Sequence, residues 1–228
     1  MSRLKTPLPH AQIAFDIYGT LIDPLSVGHL LEEMLGDRAA AFNQLWRSKQ
    51  LEYSFRKAAM RQFNHFTECT HQALQYTDAV LGTQLSSADQ ARLRAAYRRL
   101  PAYPGVPATL AQLRKRGHEL LAFSNGKKAD LLALFEGAQL AAHFDQVLSV
   151  DEVRTFKPAP EVYELLVRKS RSDRAATWLV SSNSFDLIGA GAVGLPTVWL
   201  QRPGQVFDPF GYAPTRVISQ IGDLSDLF

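Results

Sequence analysis

Apolar residues follow two different rhythms along the chain. Residues 11–15, AQIAF, form a short, mostly apolar run that ends in Asp16, just before Gly19-Thr20. This predicts a buried strand stopping at a loop. From about Leu25 to Leu100 the spacing is helical and no strand is expected. Val27, Leu30, Leu31 and Leu35 mark one helix, which Gly36 stops, with Asp37 as N-cap of the next. Leu45, Trp46, Tyr53 and Phe55 mark a second helical region, followed by Phe63, Phe66 and Leu74. A last helix starts near Ser87 and Asp89 and carries Leu93, Tyr97 and Leu100.

Beyond Pro101 and Pro104-Gly105 the rhythm alternates. Helix 107–116 leads to a strand, His118–Phe123, that stops at Ser124-Asn125-Gly126. Helix Ala129–Glu136, strand Gln146–Val150 and helix 160–170 follow, then strand 177–180 stopping at Ser181-Ser182-Asn183, helix 185–193 and strand 197–200. Strands separated by helices of this length predict βαβ units and a parallel sheet. The expected fold class is α/β: a doubly wound, Rossmann-like parallel sheet core, residues 1–22 and 101–228, with an all-helical cap subdomain, residues 23–100, inserted after the first strand.

Composition narrows the function classes. A chain of 228 residues with 46% hydrophobic and 21% charged residues can bury a real core and is not disordered. Its net charge of +3 is too mild to advertise a nucleic-acid partner, and the basic clusters at 92–99, 114–116 and 168–174 read as solvated faces. Cys69, the one cysteine, excludes a disulfide framework or a multi-cysteine zinc site. Residues 1–16 lack the apolar core of a signal peptide. The charge-free stretch Leu187–Leu200 is too short for a membrane span and contains Pro196. A soluble, cytoplasmic protein with no membrane partner is expected.

In doubly wound sheets, ligands bind beyond the carboxyl ends of the strands. Four polar clusters sit at those ends: Asp16 with Thr20, Ser124 with Asn125, Asp151 to Lys157, and Ser181 to Asp186. The first, Asp16-Ile17-Tyr18-Gly19-Thr20-Leu21, resembles the opening motif of the haloacid dehalogenase superfamily. Its large phosphatase branch carries a second Asp where this chain has Tyr18. A phenol, with an ordinary pKa of about 10, is a far weaker proton donor at neutral pH. The tyrosine instead resembles the L-2-haloacid dehalogenase branch, which displaces halide from carbon. Leu45-Trp46-Arg47, Lys49 to Tyr53, Phe123 to Gly126, Lys157-Pro158 with Tyr163, and Ser181 to Asp186 match that branch in order and spacing. Ser48 stands where the branch usually has Gln, and Phe185 where it usually has Trp; both positions would line the substrate pocket. The resemblance implies a homodimer with no metal and no cofactor, and a small-molecule 2-haloacid and halide as partners.

Such a reaction needs an in-line nucleophile, a receiver for the departing anion and a means of hydrolysing the ester. Asp16 supplies a carboxylate nucleophile, and Lys157 pairs with it and keeps it ionised. Arg47, on the helical insertion, binds halide or substrate carboxylate together with Asn125. Ser124 and Thr20 are donors for the carboxylate and the ester oxyanion. Asp186 with Asn183 positions and activates water, while Tyr163 and Ser181 orient Lys157 and the acids. Tyr18, Leu51, Phe66 and Phe185 complete the expected substrate-binding set.

Each assignment has a plainer alternative. Asp16 is also a turn residue, Lys157 a surface lysine, and Asp186 a first-turn helix acid. Arg47 has Glu52 or Glu33 as candidate ion-pair partners, and Leu51 and Phe66 fit a helix core. Two further patterns are set aside. Gly189 to Gly194 matches G-x-G-x-x-G, but a helix precedes it and a strand follows, the reverse of a dinucleotide site; close helix–sheet packing is expected instead. His65, Cys69 and His71 lack a third ligand on one face for a metal. The competing functions are a phosphatase of the same superfamily acting on a small phosphomonoester, and a non-catalytic protein retaining the fold.

Overall fold

The computed structural model of the chain describes residues 10–228, so most of the stretch read for a signal peptide lies outside the described residues. Six parallel strands form one sheet: β1 (Gln12–Phe15), β2 (Glu119–Ser124), β3 (Gln146–Ser149), β4 (Thr177–Ser181), β5 (Thr197–Leu200) and β6 (Arg216–Ile218), in the order β3-β2-β1-β4-β5-β6. β1, β4 and β5 are buried along their whole length, as strands covered by helices on both faces must be. The edge strand β6 is more open, with Val217 half exposed. β6 lies beyond the strands that the apolar pattern predicts, because three residues are too few for an apolar period to stand out.

Between β1 and β2 lie the helices of the inserted subdomain: α1 (Gly28–Leu35), α2 (Ala39–Ala59), α3 (Phe66–Leu81) and α4 (Ser87–Ala96). Gly36 ends α1 with φ 55°, a left-handed conformation that glycine adopts without steric cost. Asp37 does not cap α2. It lies in a 3-10 turn, and Arg38 precedes the helix without a side-chain cap. Ser86 caps α4, its hydroxyl accepting from Asp89 N at 3.1 Å. Tyr97 and Leu100 fall just beyond α4 rather than on it, yet both are buried.

The buried stripe of α2 runs through Ala39, Phe42, Asn43, Trp46, Gln50 and Ser54, while Leu45, Tyr53 and Phe55 are only half-buried. The helical period is therefore as read, but its inward face is rotated and includes polar residues. Trp46 donates its indole N–H to Thr70 O at 2.9 Å, tying α2 to α3. The remaining helices, α5 (Val106–Lys115), α6 (Lys128–Gly137), α7 (Pro160–Lys169), α8 (Ser184–Ala192) and α9 (Leu224–Leu227), alternate with the strands or close the chain. Among the described residues no helix is long and apolar enough to cross a membrane.

The strand order reverses beside β1, which has β2 on one side and β4 on the other. Such a switch point opens a crevice at the carboxyl ends of the strands. Asp16 is the first residue past β1, and its amide bonds Val180 O at 3.0 Å. This register sets it level with Phe123 on β2 and Ser181 on β4.

Candidate active site

The loop that carries Asp16 turns sharply as β1 ends. Gly19 has φ 92°, and the amides of Thr20, Leu21 and Ile22 all return to Ile17 O. That turn brings Thr20 back under Asp16, whose Oδ2 accepts from Thr20 Oγ1 at 2.8 Å, Ser181 Oγ at 3.2 Å and Asn183 Nδ2 at 2.6 Å. Asp16 Oδ1 accepts from Lys157 Nζ at 3.0 Å. Asp16 is 7% exposed, and its carboxylate is anchored on both oxygens.

Lys157 is no surface lysine. It is 1% exposed, and its ammonium also donates to Asp186 Oδ2 at 2.7 Å and to Phe123 O at 2.9 Å. All three protons of the ammonium thus have partners, which a buried cation requires. Burial pulls the lysine pKa down, but the facing Asp16 and Asp186 outweigh it and hold it above 10.5. Asp186 lies in the first turn of α8 yet is fully buried, so the dipole reading describes only part of its role. Burial pushes its carboxyl up to about 6, with Lys157 opposing and Asp16 adding to the rise. Tyr163 donates to Asp186 Oδ1 at 2.9 Å, and burial beside that carboxylate holds the phenol well above its ordinary value.

Gly189 explains part of the glycine pattern in α8. A Cβ there would come within 2.5 Å of the Tyr163 ring, so glycine lets Tyr163 lie against α8 and reach Asp186. The close approach is therefore between helices α7 and α8, not helix against sheet as expected.

Asn125 and Ser124 are buried at the end of β2. Asn125 Oδ1 accepts from Lys157 N at 3.0 Å, and Ser124 Oγ accepts from Gly126 N at 3.0 Å. Both fix the loops that carry the site.

Arg47 reaches the loop after β1 from α2. Its Nη2 donates to Tyr18 O at 3.3 Å and its Nη1 to Gln50 Oε1 at 3.3 Å. Neither proposed acid partner is used: Glu52 is held by Lys49 at 2.7 Å and by Arg56, and Glu33 faces Arg92. Tyr18 stacks between Phe66 and Tyr97, with ring centroids 6.4 and 6.2 Å away. Burial raises its phenol above the ordinary value, which makes it a still poorer acid.

Tyr18 and Phe66 line a cavity of about 330 Å³ whose wall also carries Tyr97, Arg94, Arg98 and Lys127. Phe185 instead lines a separate cavity of about 1000 Å³ and packs edge-on against Phe55 at 5.0 Å. Leu51 is half-buried and lines neither cavity. Ser48 is exposed and lines neither, contrary to the pocket position expected for it.

Three residues at the site escaped the sequence reading. Gln50 accepts from Arg47, and Tyr97 OH donates to Gln50 Oε1 at 2.8 Å. Arg202, just past β5, donates through Nε to Gly19 O at 3.1 Å and through Nη2 to Thr20 O at 2.8 Å, its guanidinium 3.5 Å from the Tyr103 ring centroid. Its place beyond a strand end was the available signal. His65 pairs with Asp151 at 3.1 Å and His71 contacts Arg94, while Cys69 is buried and its thiol is raised to about 11 by burial. Among the described residues no group of three or more His, Cys, Asp or Glu is placed to hold a metal ion.

Comparison with known proteins agrees with this geometry. Residues 11–194 match the family model of haloacid dehalogenase-like hydrolases. The chain is 38% identical over 216 residues to an (S)-2-haloacid dehalogenase of Pseudomonas sp. (strain YL), covering 95% of this chain and 93% of that one. It is 36% identical over 202 residues to haloacetate dehalogenase H-2 of Moraxella sp. (strain B), covering 89% and 90%. The solved structure of L-2-haloacid dehalogenase from Xanthobacter autotrophicus with chloropropionic acid covalently bound superposes with a TM-score of 0.90 at 33% identity, covering 96% of this chain and 98% of that one.

Proposed function

The chain belongs to the haloacid dehalogenase-like hydrolases, alongside the (S)-2-haloacid dehalogenases, and from that premise we propose how its residues divide the work. The enzyme hydrolyses short (S)-2-haloalkanoic acids to (R)-2-hydroxyalkanoic acids and halide through a covalent aspartyl ester.

In the first step Asp16 Oδ1 attacks C2 of the substrate from the side opposite the halogen. The new C–O bond forms as the C–halogen bond breaks, the halide keeps the bonding pair, and C2 inverts. Arg47, with Asn125, receives the halide or the substrate carboxylate. In the second step water attacks Cγ of the Asp16 ester. Negative charge then collects on Oδ2, where Thr20, Ser181 and Asn183 already donate. Asp186 takes the proton from that water. As the intermediate collapses, the Cγ–Oδ1 bond breaks and the proton passes to the departing oxygen on C2, releasing the 2-hydroxy acid and restoring the Asp16 carboxylate. The Asp186 carboxyl, at about 6, suits a base working near neutral pH. Each of its oxygens keeps a lone pair beyond those used by Lys157 and Tyr163. Lys157 lies between the two carboxylates and allows both to ionise. Ser124 fixes the loop beside it, and Tyr18 and Phe66 form the apolar surroundings that keep stray water from the reacting carbon. The same proposal makes the enzyme a homodimer in the cytoplasm, where a lone buried thiol such as Cys69 stays reduced.

The observation that carries the reading is one strand-end carboxylate with Lys157 on one oxygen and three neutral donors on the other. The test is chloride release from each enantiomer of 2-chloropropionate in the presence of a chelator. Release from the S enantiomer alone, lost by about 10⁴-fold or more in Asp16→Asn, is expected. No halide from any 2-haloacid, with phosphate released from phosphomonoesters once magnesium is added, would sink it.

A further inference from the structure

Gln50 is a polar residue that the steps above leave unused. It occupies the inward stripe of α2 with Ala39, Phe42 and Trp46, where an apolar side chain would serve packing, and it is fully buried. Its Oε1 accepts from Arg47 Nη1 at 3.3 Å and from Tyr97 OH at 2.8 Å. Its Nε2 is buried with no hydrogen-bond partner among the described residues. An orphaned donor costs stability that a leucine or methionine of similar volume would not. Packing alone therefore does not explain a glutamine here.

The partners of Arg47 do. Both oxygens that hold it, Gln50 Oε1 and Tyr18 O, are uncharged, and Arg47 makes no ion pair among the described residues. Glu52, the acid nearest to Gln50 in the sequence, is turned to Lys49 and Arg56. Burial raises the Tyr97 phenol, so it stays protonated and serves Gln50 as a donor. We propose that Gln50, braced by Tyr97, is a positioning residue that holds the Arg47 guanidinium by a neutral oxygen and so leaves its charge uncompensated for the anion of the reaction. A carboxylate at the same place would hold the guanidinium as well and cancel that charge. The inference rests on the reading of Arg47 as the anion receiver.

The test compares wild type, Gln50→Glu, Gln50→Leu and Arg47→Ala at mildly alkaline pH, where a buried carboxyl is ionised. The readouts are kcat and KM on (S)-2-chloropropionate, inhibition by added chloride, and thermal melting. For Gln50→Glu, kcat/KM should fall, and the chloride inhibition constant rise, by about tenfold or more with melting unimpaired. Gln50→Leu should melt no lower than wild type and lose about threefold or more on both kinetic readouts. If Gln50→Glu does not fold, Gln50→Leu decides alone by the same readouts. Values within about twofold of wild type in the folded Gln50 variants, while Arg47→Ala loses activity, would overturn the role of Gln50 and leave Arg47 as the receiver. Full activity in Arg47→Ala would overturn both.

Discussion

The core and the inserted helices each bring charge to the nucleophile loop, and they do so on opposite plans. On the core side Lys157 lies between Asp16 and Asp186, every charge faces an opposite one, and the three residues are at most 7% exposed. On the helical side Arg47 is half-buried and, among the described residues, its guanidinium hydrogen-bonds only a backbone carbonyl and an amide oxygen. The contrast fits the proposed division of work. A buried nucleophile has to be kept ionised and aimed, which calls for a fixed counter-cation. A group that receives a departing anion has to keep its own charge free until the anion forms.

The core arrangement breaks most severely if its cation is removed. Lys157→Met leaves two buried carboxylates facing each other without a counter-charge, and should cost about 3–5 kcal/mol of stability at neutral pH as well as abolishing turnover. Denaturant unfolding at two pH values checks this: the deficit should shrink as pH falls through about 6, where Asp186 protonates. A deficit that does not change with pH would mean that Lys157 contributes by packing alone. In the wild type the sign is opposite on the alkaline side. Lys157 titrates above 10.5 in the folded protein, so its contribution is present below that pH and is lost only as pH rises past the folded value.

A smaller change sharpens the same comparison without breaking it. Asp186 is held at about 6 against an ordinary 3.8, so the rate of ester hydrolysis should fall as pH drops through about 6. Tyr163→Phe removes a donor that favours the charged carboxylate. The acid limb of the kcat profile should then move to higher pH, with a modest loss at its plateau. An unmoved limb would assign the ionisation to another group.

The core half of the site was legible because its residues stand at strand ends in sequence order. Asp16, Ser124, Asn125, Lys157, Ser181, Asn183 and Asp186 converge once the strands are parallel and in register. The helical half was less so. Apolar spacing located α2 but favoured Leu45 and Phe55 over the true inward stripe, and that stripe is where Gln50 hides among packing residues. Tyr97 and Arg202 depend on contacts 47 and more than 180 residues away in sequence, which no local pattern reports. Ser48 faces solvent and Phe185 faces Phe55, so the side-chain direction of a matched position does not follow from the match.

In the proposed mechanism Asp16 itself becomes the ester and gives up an oxygen at each turnover. A single turnover in H₂¹⁸O, with enzyme in excess over (S)-2-chloropropionate, measures it directly by mass spectrometry of the product and of the peptide bearing Asp16. The heavy oxygen should appear in the Asp16 carboxylate, with none in the 2-hydroxypropionate. Heavy oxygen in the product, with Asp16 unlabelled, would mean that water attacks C2 directly and would contradict the account.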